Sequence, residues 1–412
     1  MKNSLAVGTL PAIGEVPEKM LAQVIRQDRF GDPRTAFQIE EIEIPPIKPH
    51  EVLIGVMAAG INFNNVWAAR GIPIDVIRIR QKMGEPYDFH IGGSDVSGIV
   101  YAVGSDVDNV AVGDEVVVHH GYWDLNDPWI KAGKDPMIAP SAQIWGYNTN
   151  FGSFGQFCIA QAHAVLPKAQ HLTWEQAAAP TLVGTTAYRM LFGWEGNVLK
   201  EEDVVLVWGG SGGLGTQAIQ LASVHGAKAV AVVSDDERGE YCKRLGAVGY
   251  IIRNQFSHWG IPPHWTDVDG QKEWIKSCRA FGKAIWDVLG ERRNPDIVFE
   301  HPGESTIPTS IFVCEAGGMV VICAGTTGYS AMVDLRYHWV RQKRLQGSHG
   351  SNDEQAQAYN QLVCDGKIDP CLGEVYSFED IGKAHYDMEQ GEKVFGNRVA
   401  LVGTPRPGLG RK

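Results

Sequence analysis

Two hydrophobic patterns divide this chain. From Ala22 to His120, short runs alternate apolar and polar positions: AQVIRQ, FQIEEIEIP, EVLIGVMAAGIN, HIGGSDVSGIVYAVG and VGDEVVVHH. A period of two sends one set of side chains inward and the other toward water, which predicts strands. Pro45, Pro46 and Pro49 mark turns between them. Short strands joined by Gly and Pro turns predict an antiparallel, partly closed β-barrel. From Asp203 the pattern changes. Apolar runs (VVLVW, AVAVVS, YIIR, DIVFEHPG, GGMVVICAG) alternate with helical segments such as ERGEYCKRLG. That alternation predicts a doubly wound parallel sheet. After Gly347 the chain reads as a helix (EQAQAYNQLVCDG), a strand near EVYSF, a helix (EDIGKAHYDM) and a last strand, NRVALVG. These return it to the first domain.

The connections carry their own signals. Residues 1–22 are punctuated by Pro and Gly and predict an arm, and the tail PRPGLGRK predicts a loose end. Residues 120–155 form a long insertion rich in Trp, Tyr, Gly and Asn. Its length points to function and its aromatics to order. Thr173 begins a helix, TWEQAAAP, as N-cap, with Gln176 completing a capping box and GTTAYRMLF continuing helically. The expected organisation is α/β: residues 1–186 with the 120–155 insertion, a nucleotide-binding domain at 187–345, and the return at 346–412.

Composition narrows the function. The net charge of −11 disfavours nucleic acid and anionic membranes as partners. No apolar run approaches the roughly 20 residues needed to span a bilayer. The start, MKNSLAVGTLPAIGEVPEKM, has Pro and Glu where a signal peptide needs an apolar core, so a cytoplasmic protein is expected. The seven cysteines (Cys158, Cys242, Cys278, Cys314, Cys323, Cys364, Cys371) include no C-x-x-C pair and predict reduced packing residues rather than a structural zinc site.

The sharpest motif is DVVLVWGGSGGLGTQAIQLA. Gly210, Gly212 and Gly215 have G-x-G-x-x-G spacing, with Ser211, Gly213 and Leu214 between them. An apolar run precedes the glycines and a helical pattern follows. This is the dinucleotide fingerprint, in which backbone N–H groups and a helix N-terminus face a pyrophosphate. An acid at the end of the next strand would bind the ribose of NAD. Here that position is Ser234, followed by Asp235, Asp236, Glu237 and Arg238. A hydroxyl with a nearby Arg suits a 2′-phosphate, so NADPH is the expected cofactor, with Arg253 able to add charge. Asp235 and Asp236 argue the other way, and a solvated surface turn remains open.

The order barrel, GGSGGLG, return to barrel resembles the medium-chain dehydrogenase/reductase superfamily over nearly the whole chain. Its zinc-dependent members carry a G-H-E motif. This chain has Gly92-Gly93-Ser94-Asp95-Val96-Ser97-Gly98, similar to the zinc-free reductase branch, and no metal is expected. Five segments are more specific: NFNNVW (62–67), WGYNTNFGSFGQF (145–157), FGKAIWD (281–287), DIVFEHPGEST (296–306) and RYHWVRQKRLQGSH (336–349). Together they resemble the crotonyl-CoA carboxylase/reductase group of 2-enoyl-CoA reductases. The resemblance implies a GroES-like catalytic domain with a Rossmann domain, an enoyl-CoA substrate, and CO2 as co-substrate. NADPH delivers hydride to the β-carbon, and the enolate takes CO2 or a proton. It also implies a homo-oligomer, dimer or tetramer, associated through the sheet edge of the nucleotide domain.

The same resemblance implies roles. Asn64 falls at a CO2-binding amide and His349 at a pocket histidine. Tyr147 and Asn148 fall at an aromatic–glutamate pair, and Asn148 replaces the glutamate. A neutral amide orders water more weakly than a carboxylate, so the exclusion of bulk water is what this departure weakens. Gly350 stands where a phenylalanine is common. Lys283, Arg336 and Tyr337 fall at CoA-binding positions, and Phe312 replaces a tyrosine of that set. Arg341, Lys343 and Arg344 extend the basic run. Thr185, Thr186 and Tyr188 fall beside the nicotinamide. Blander roles stay open: turn formation for Asn62, Asn64 and Asn65, packing for Tyr147, a satisfied polar residue for His349, and a solvated helix face for the basic run. So do other functions: an enoyl-CoA reductase ending in protonation, a quinone reductase, or an NADPH-binding protein without catalysis.

Overall fold

The computed structural model describes residues 5–412. The first four residues of the expected arm lie outside the described residues. The chain forms two compact units: one runs to Thr185 and resumes from Gly350 to Lys412, and the other is Thr186–His349.

The first unit is built around the strand Glu51–Ile61, buried along nearly all its length. It pairs antiparallel with Val96–Val103, Phe157–Gln161 and Asn397–Leu401. Register shifts at Leu53/Ile54 and Val56/Ala58 bend it, as bulges do, so one strand serves two faces of a curled sheet. Asn397–Leu401 also pairs in parallel with Leu372–Tyr376, which places the returning segment in this sheet. A smaller sheet joins Lys19–Arg26 to Gln38–Glu43 and Phe89–Ile91. Within the insertion, Gly121–Tyr122 pairs with Gln143–Ile144 as a two-stranded ribbon.

Two local expectations need correcting. The capping box at Thr173 and Gln176 forms, but its helix ends at Ala177, and Thr181–Phe192 is a separate helix. Pro180 between them disfavours helical geometry in the residue before it and lacks an N–H to continue the ladder. The tail is not loose. Trp174 N–H donates to the Leu409 carbonyl (2.9 Å), Lys168 Nζ to the Gly410 carbonyl (2.6 Å) and Lys412 N–H to the Gln170 carbonyl (2.9 Å). These backbone acceptors are invisible in a Pro/Gly-rich sequence.

The second unit holds a parallel six-stranded sheet. From one edge to the other its strands are Gly249–Ile252, Lys228–Val233, Val204–Trp208, Ile297–Glu300, Met319–Ile322 and Arg344–Gly347. Strand order therefore reverses between Val204–Trp208 and Ile297–Glu300, and a doubly wound sheet binds ligands outside the carboxyl ends of strands at that reversal. Two elements escape the hydrophobic pattern. The 22-residue helix Val268–Leu289 buries Gln271, Trp274, Cys278, Phe281, Gly282 and Ile285 along one face, but two of those six are not apolar. Asp267 caps its start through Gly270 N–H, and Gly290 ends it at φ 72°. The strand Arg344–Gly347 has a single large apolar residue, Leu345, and straddles the expected boundary at 345/346.

Candidate functional site

In the nucleotide unit the glycine loop follows the expected geometry. Val204–Trp208 leads through Gly209 (φ 60°) to the helix Gly213–Val224, whose N-cap is Gly212. A Cβ on Gly215 would collide with the Gly209 carbonyl oxygen and come within 2.7 Å of the Gly210 Cα. A Cβ on Gly212 would meet nothing nearer than 3.5 Å. Gly215 thus serves helix–strand packing, and Gly212 leaves the loop open to a ligand. Arg238 Nη1 donates to Ser211 Oγ in this loop (3.1 Å). Ser234 Oγ donates to Asp235 Oδ2 (2.9 Å), while Asp235 Oδ1 caps the following helix at Arg238 N–H (3.0 Å). Ser211, Ser234 and Arg238 therefore share one side of the loop; of the two acids that argued against a phosphate, Asp235 caps the helix and lies 3.5 Å from the Arg238 guanidinium, and Asp236 accepts from the Tyr250 hydroxyl (2.9 Å). Arg253 donates to Ser305 Oγ (3.2 Å) and sits over the Trp259 ring.

Sequence reasoning missed Glu300 and His301, at the carboxyl end of the strand beside the glycine loop. Glu300 is buried and accepts from Ser310 Oγ (2.6 Å) and Thr306 Oγ1 (2.9 Å), and burial pushes its pKa up to about 7. His301 packs beneath Gly209, and burial takes its pKa down to about 4, so it is neutral at pH 7. The signal available was polar residues ending an apolar run, IVFEH.

The barrel unit brings its candidates together through one loop. Asn64 Nδ2 donates to Ser94 Oγ (2.9 Å), and its Oδ1 accepts from Asn65 Nδ2 (3.0 Å). Asn65 Oδ1 in turn accepts from Gly93 N–H (3.3 Å). The turn carrying Tyr147 and Asn148 packs on the same loop: Gly146, at φ 68°, has no room for a Cβ against the Gly93 carbonyl. Ser153 N–H donates to that carbonyl (3.0 Å). Tyr147 is buried. Asn148 Oδ1 closes its own turn by accepting from Ile144 N–H (2.9 Å), which fixes the orientation of the amide. Asp95, fully buried below, accepts from Asn62 Nδ2 (2.8 Å) and Leu182 N–H (2.6 Å), and burial raises its pKa well above the usual carboxylate range. Thr185 is buried with its hydroxyl donating back to the Thr181 carbonyl (2.8 Å), and Thr186 follows it, also buried.

The remaining candidates lie in the nucleotide unit. His349 closes it with an exposed side chain; the surrounding protein atoms, and then the Arg189 guanidinium, lower its pKa. Phe312 and Tyr337 pack at 4.8 Å, with Trp274 5.7 Å from Phe312. Arg336 reaches Gln271 Oε1 (3.1 Å) from the helix carrying Trp274. Lys283, further along that helix, is exposed and pairs with Asp287 (2.6 Å).

Comparison with known proteins decides the family. Residues 48–170 match the alcohol dehydrogenase GroES-like domain, and residues 213–364 match the family described as zinc-binding dehydrogenase. A crotonyl-CoA carboxylase/reductase from Cereibacter sphaeroides is 48% identical over 408 residues, 99% of this chain and 93% of that protein. This chain belongs to the crotonyl-CoA carboxylase/reductase family. Another relative, a crotonyl-CoA reductase from Streptomyces avermitilis, is 38% identical over 95% of this chain and 87% of its own length. A solved crotonyl-CoA carboxylase/reductase in complex with NADP superposes at a TM-score of 0.94 with 49% identity, covering 98% of this chain and all of that one.

The zinc in one family description calls for a test against the donors present. Among the described residues one group, His119, His163 and Asp353, brings three ligand atoms within 4.8 Å. His119 Nδ1 accepts from Gly121 N–H (3.1 Å), so its proton sits on Nε2, the atom facing Asp353. That nitrogen cannot also be a metal ligand. The donor set does not fit zinc.

The position of Arg238 makes a prediction for this carboxylase/reductase. With Arg238 as the expected 2′-phosphate ligand, Arg238→Ala would remove one charge-assisted contact, about 1.5–3 kcal/mol. The KM for NADPH should rise roughly ten- to a hundredfold, with NADH kinetics little changed. Equal losses with both cofactors would show that Arg238 merely supports the loop.

Proposed function

We propose that this protein reduces a short-chain 2-enoyl-CoA, crotonyl-CoA or acryloyl-CoA, with NADPH and captures the resulting enolate with CO2, giving ethylmalonyl-CoA or methylmalonyl-CoA, in the cytoplasm. The observation that carries the reading is the packing of Asn64, through Ser94 and Gly93, against the turn of Tyr147 and Asn148. NADPH, held along the glycine loop with its 2′-phosphate toward Arg238, supplies the hydride. One N–H of Asn64 is held by Ser94, which aims the other at a CO2 oxygen. Tyr147 forms an apolar wall that keeps water from the α-carbon. His349, uncharged at neutral pH, orders what polar groups remain. Thr185 and Thr186 lie beside the nicotinamide. Tyr337 and Phe312 offer a stacking surface for the CoA adenine, with Arg336 and Lys283 for its phosphates. A homo-oligomer belongs to this reading: Leu345 on the edge strand and Trp339 and Val340 just before it stand exposed.

A second reading, an enoyl-CoA reductase ending in protonation, is favoured by Asn148, whose oxygen already holds its own turn. Mixed products are therefore expected, carboxylated acyl-CoA with a sizeable reduced fraction. Asn148→Glu should raise the carboxylated-to-reduced ratio about tenfold, the effect of about 1.4 kcal/mol between the two barriers, with NADPH oxidation little changed. Mass spectrometry of products formed with labelled bicarbonate tests this. No label from either protein would establish the plain reductase, and complete carboxylation by the wild type would show that Asn148 serves as well as a glutamate.

Arg336→Ala should act chiefly on KM for the enoyl-CoA, by roughly tenfold, since a contact remote from the reacting carbon contributes uniform binding. The same loss with a thioester lacking CoA would remove Arg336 from that role.

A further inference from the structure

Asp353 lies four residues beyond His349, in the segment that returns to the barrel unit, as the first residue of the helix Asp353–Cys364. Its Oδ1 accepts two hydrogen bonds, from His119 Nε2 (2.9 Å) and from His163 Nδ1 (2.9 Å). Burial would raise its pKa, but the bonds from His119 and then His163 hold it well below the usual carboxylate range. The helix N-terminus favours the same anion. Each histidine is fixed from its far side. Gly121 N–H donates to His119 Nδ1 (3.1 Å), and the ring is fully buried. His163 Nε2 meets Gln161 Oε1 (2.9 Å), and that amide is oriented by two bonds to the Trp123 backbone: Trp123 N–H to Oε1 (3.1 Å) and Nε2 to the Trp123 carbonyl (2.8 Å). The His163 ring also stacks on Trp123 at 4.4 Å.

The residues gripped this way begin the insertion. Gly121 and Tyr122 pair with Ile144 and Gln143, and Trp145 N–H donates to the His120 carbonyl (2.8 Å). The next residues are Gly146, Tyr147 and Asn148. Gly350, at φ 61°, packs so tightly on His120 and Met137 that a Cβ would come within 2.7 Å of both. A continuous set of contacts thus runs from Asp353 through the two histidines and the ribbon to the turn proposed to govern the enolate's fate.

We propose that Asp353, held by His119 and His163, is a positioning residue for the carboxylation step: it fixes the Gly350–Asn352 segment against the start of the insertion and so sets the tightness of the Tyr147–Asn148 turn. This rests on the carboxylating reading above. The clamp touches neither substrate nor cofactor. Loosening it admits water to the α-carbon without impeding hydride transfer.

The test measures NADPH oxidation and the carboxylated-to-reduced product ratio with crotonyl-CoA and labelled bicarbonate. Asp353→Ala should lower the ratio about tenfold while NADPH oxidation stays within about threefold. Asp353→Glu, which keeps the charge, should recover most of it, and His163→Phe, which keeps the stacking on Trp123 but loses both bonds, should fall between. An unchanged ratio in Asp353→Ala and His163→Phe overturns the proposal, as does a ratio that stays constant while both rates fall together. If Asp353→Ala does not fold, His163→Phe and Asp353→Glu decide by the same ratio. Absence of label in wild-type product overturns the carboxylating reading itself and this inference with it; label in the wild type with an unmoved ratio in the variants overturns the clamp alone.

Discussion

Gly215→Ala should raise the KM for NADPH at least about a hundredfold and lower the melting temperature as well. The added Cβ meets the Gly209 carbonyl oxygen and the Gly210 Cα, and both are backbone, so no side chain can turn aside to admit it. The helix Gly213–Val224 must move off its strand, and its N-terminal N–H groups move with it. Two charge-assisted bonds to a pyrophosphate lost at about 1.5–3 kcal/mol each amount to a hundredfold or more. Gly212→Ala is the control. Its Cβ has space, so the melting temperature should hold, but the proposed binding mode brings the pyrophosphate to this residue, so the KM should still rise. Initial rates against NADPH concentration and a thermal melt separate the two. A change under threefold in Gly215→Ala would mean that the loop tolerates displacement and that close helix–strand contact is not what positions the cofactor.

Those glycines were legible because their spacing is set by backbone geometry alone. The parallel strands were legible for a related reason: buried on both faces, they are continuous apolar runs such as VVLVW. Legibility failed where contacts rather than composition define an element. Arg344–Gly347 is an edge strand of mostly polar residues, visible only through its register with Met319–Ile322. The anchored tail gives acceptors from its backbone, which no side-chain pattern reports. In the site, Asn64, Tyr147 and Asn148 came from motif resemblance, but the use of the Asn148 oxygen to close its own turn is a fact of geometry. Asp353 and His163 were beyond reach altogether, 190 residues apart in sequence and joined only by folding.

Asn64→Leu should remove nearly all carboxylated product and leave reduction running. Hydride addition needs only the nicotinamide and the thioester, so NADPH oxidation should stay within about threefold. Carboxylation loses more than the exchange of a carboxamide for an isopropyl group of similar size suggests. The amide is aimed by Ser94 and steadied by Asn65, so its loss also leaves the Ser94 oxygen without its donor. A missing hydrogen bond to CO2 together with a disordered polar wall costs about 2–3 kcal/mol, roughly thirty- to a hundredfold in the product ratio. Ser94→Ala leaves the amide in place but unaimed and should lower the ratio by a few fold. Labelled bicarbonate and mass spectrometry read both variants. If Asn64→Leu lost NADPH oxidation in proportion to carboxylation, Asn64 would be holding the barrel helix at residues 63–70 rather than CO2. A graded series, wild type above Ser94→Ala above Asn64→Leu at constant NADPH oxidation, is the result that a CO2-binding amide requires.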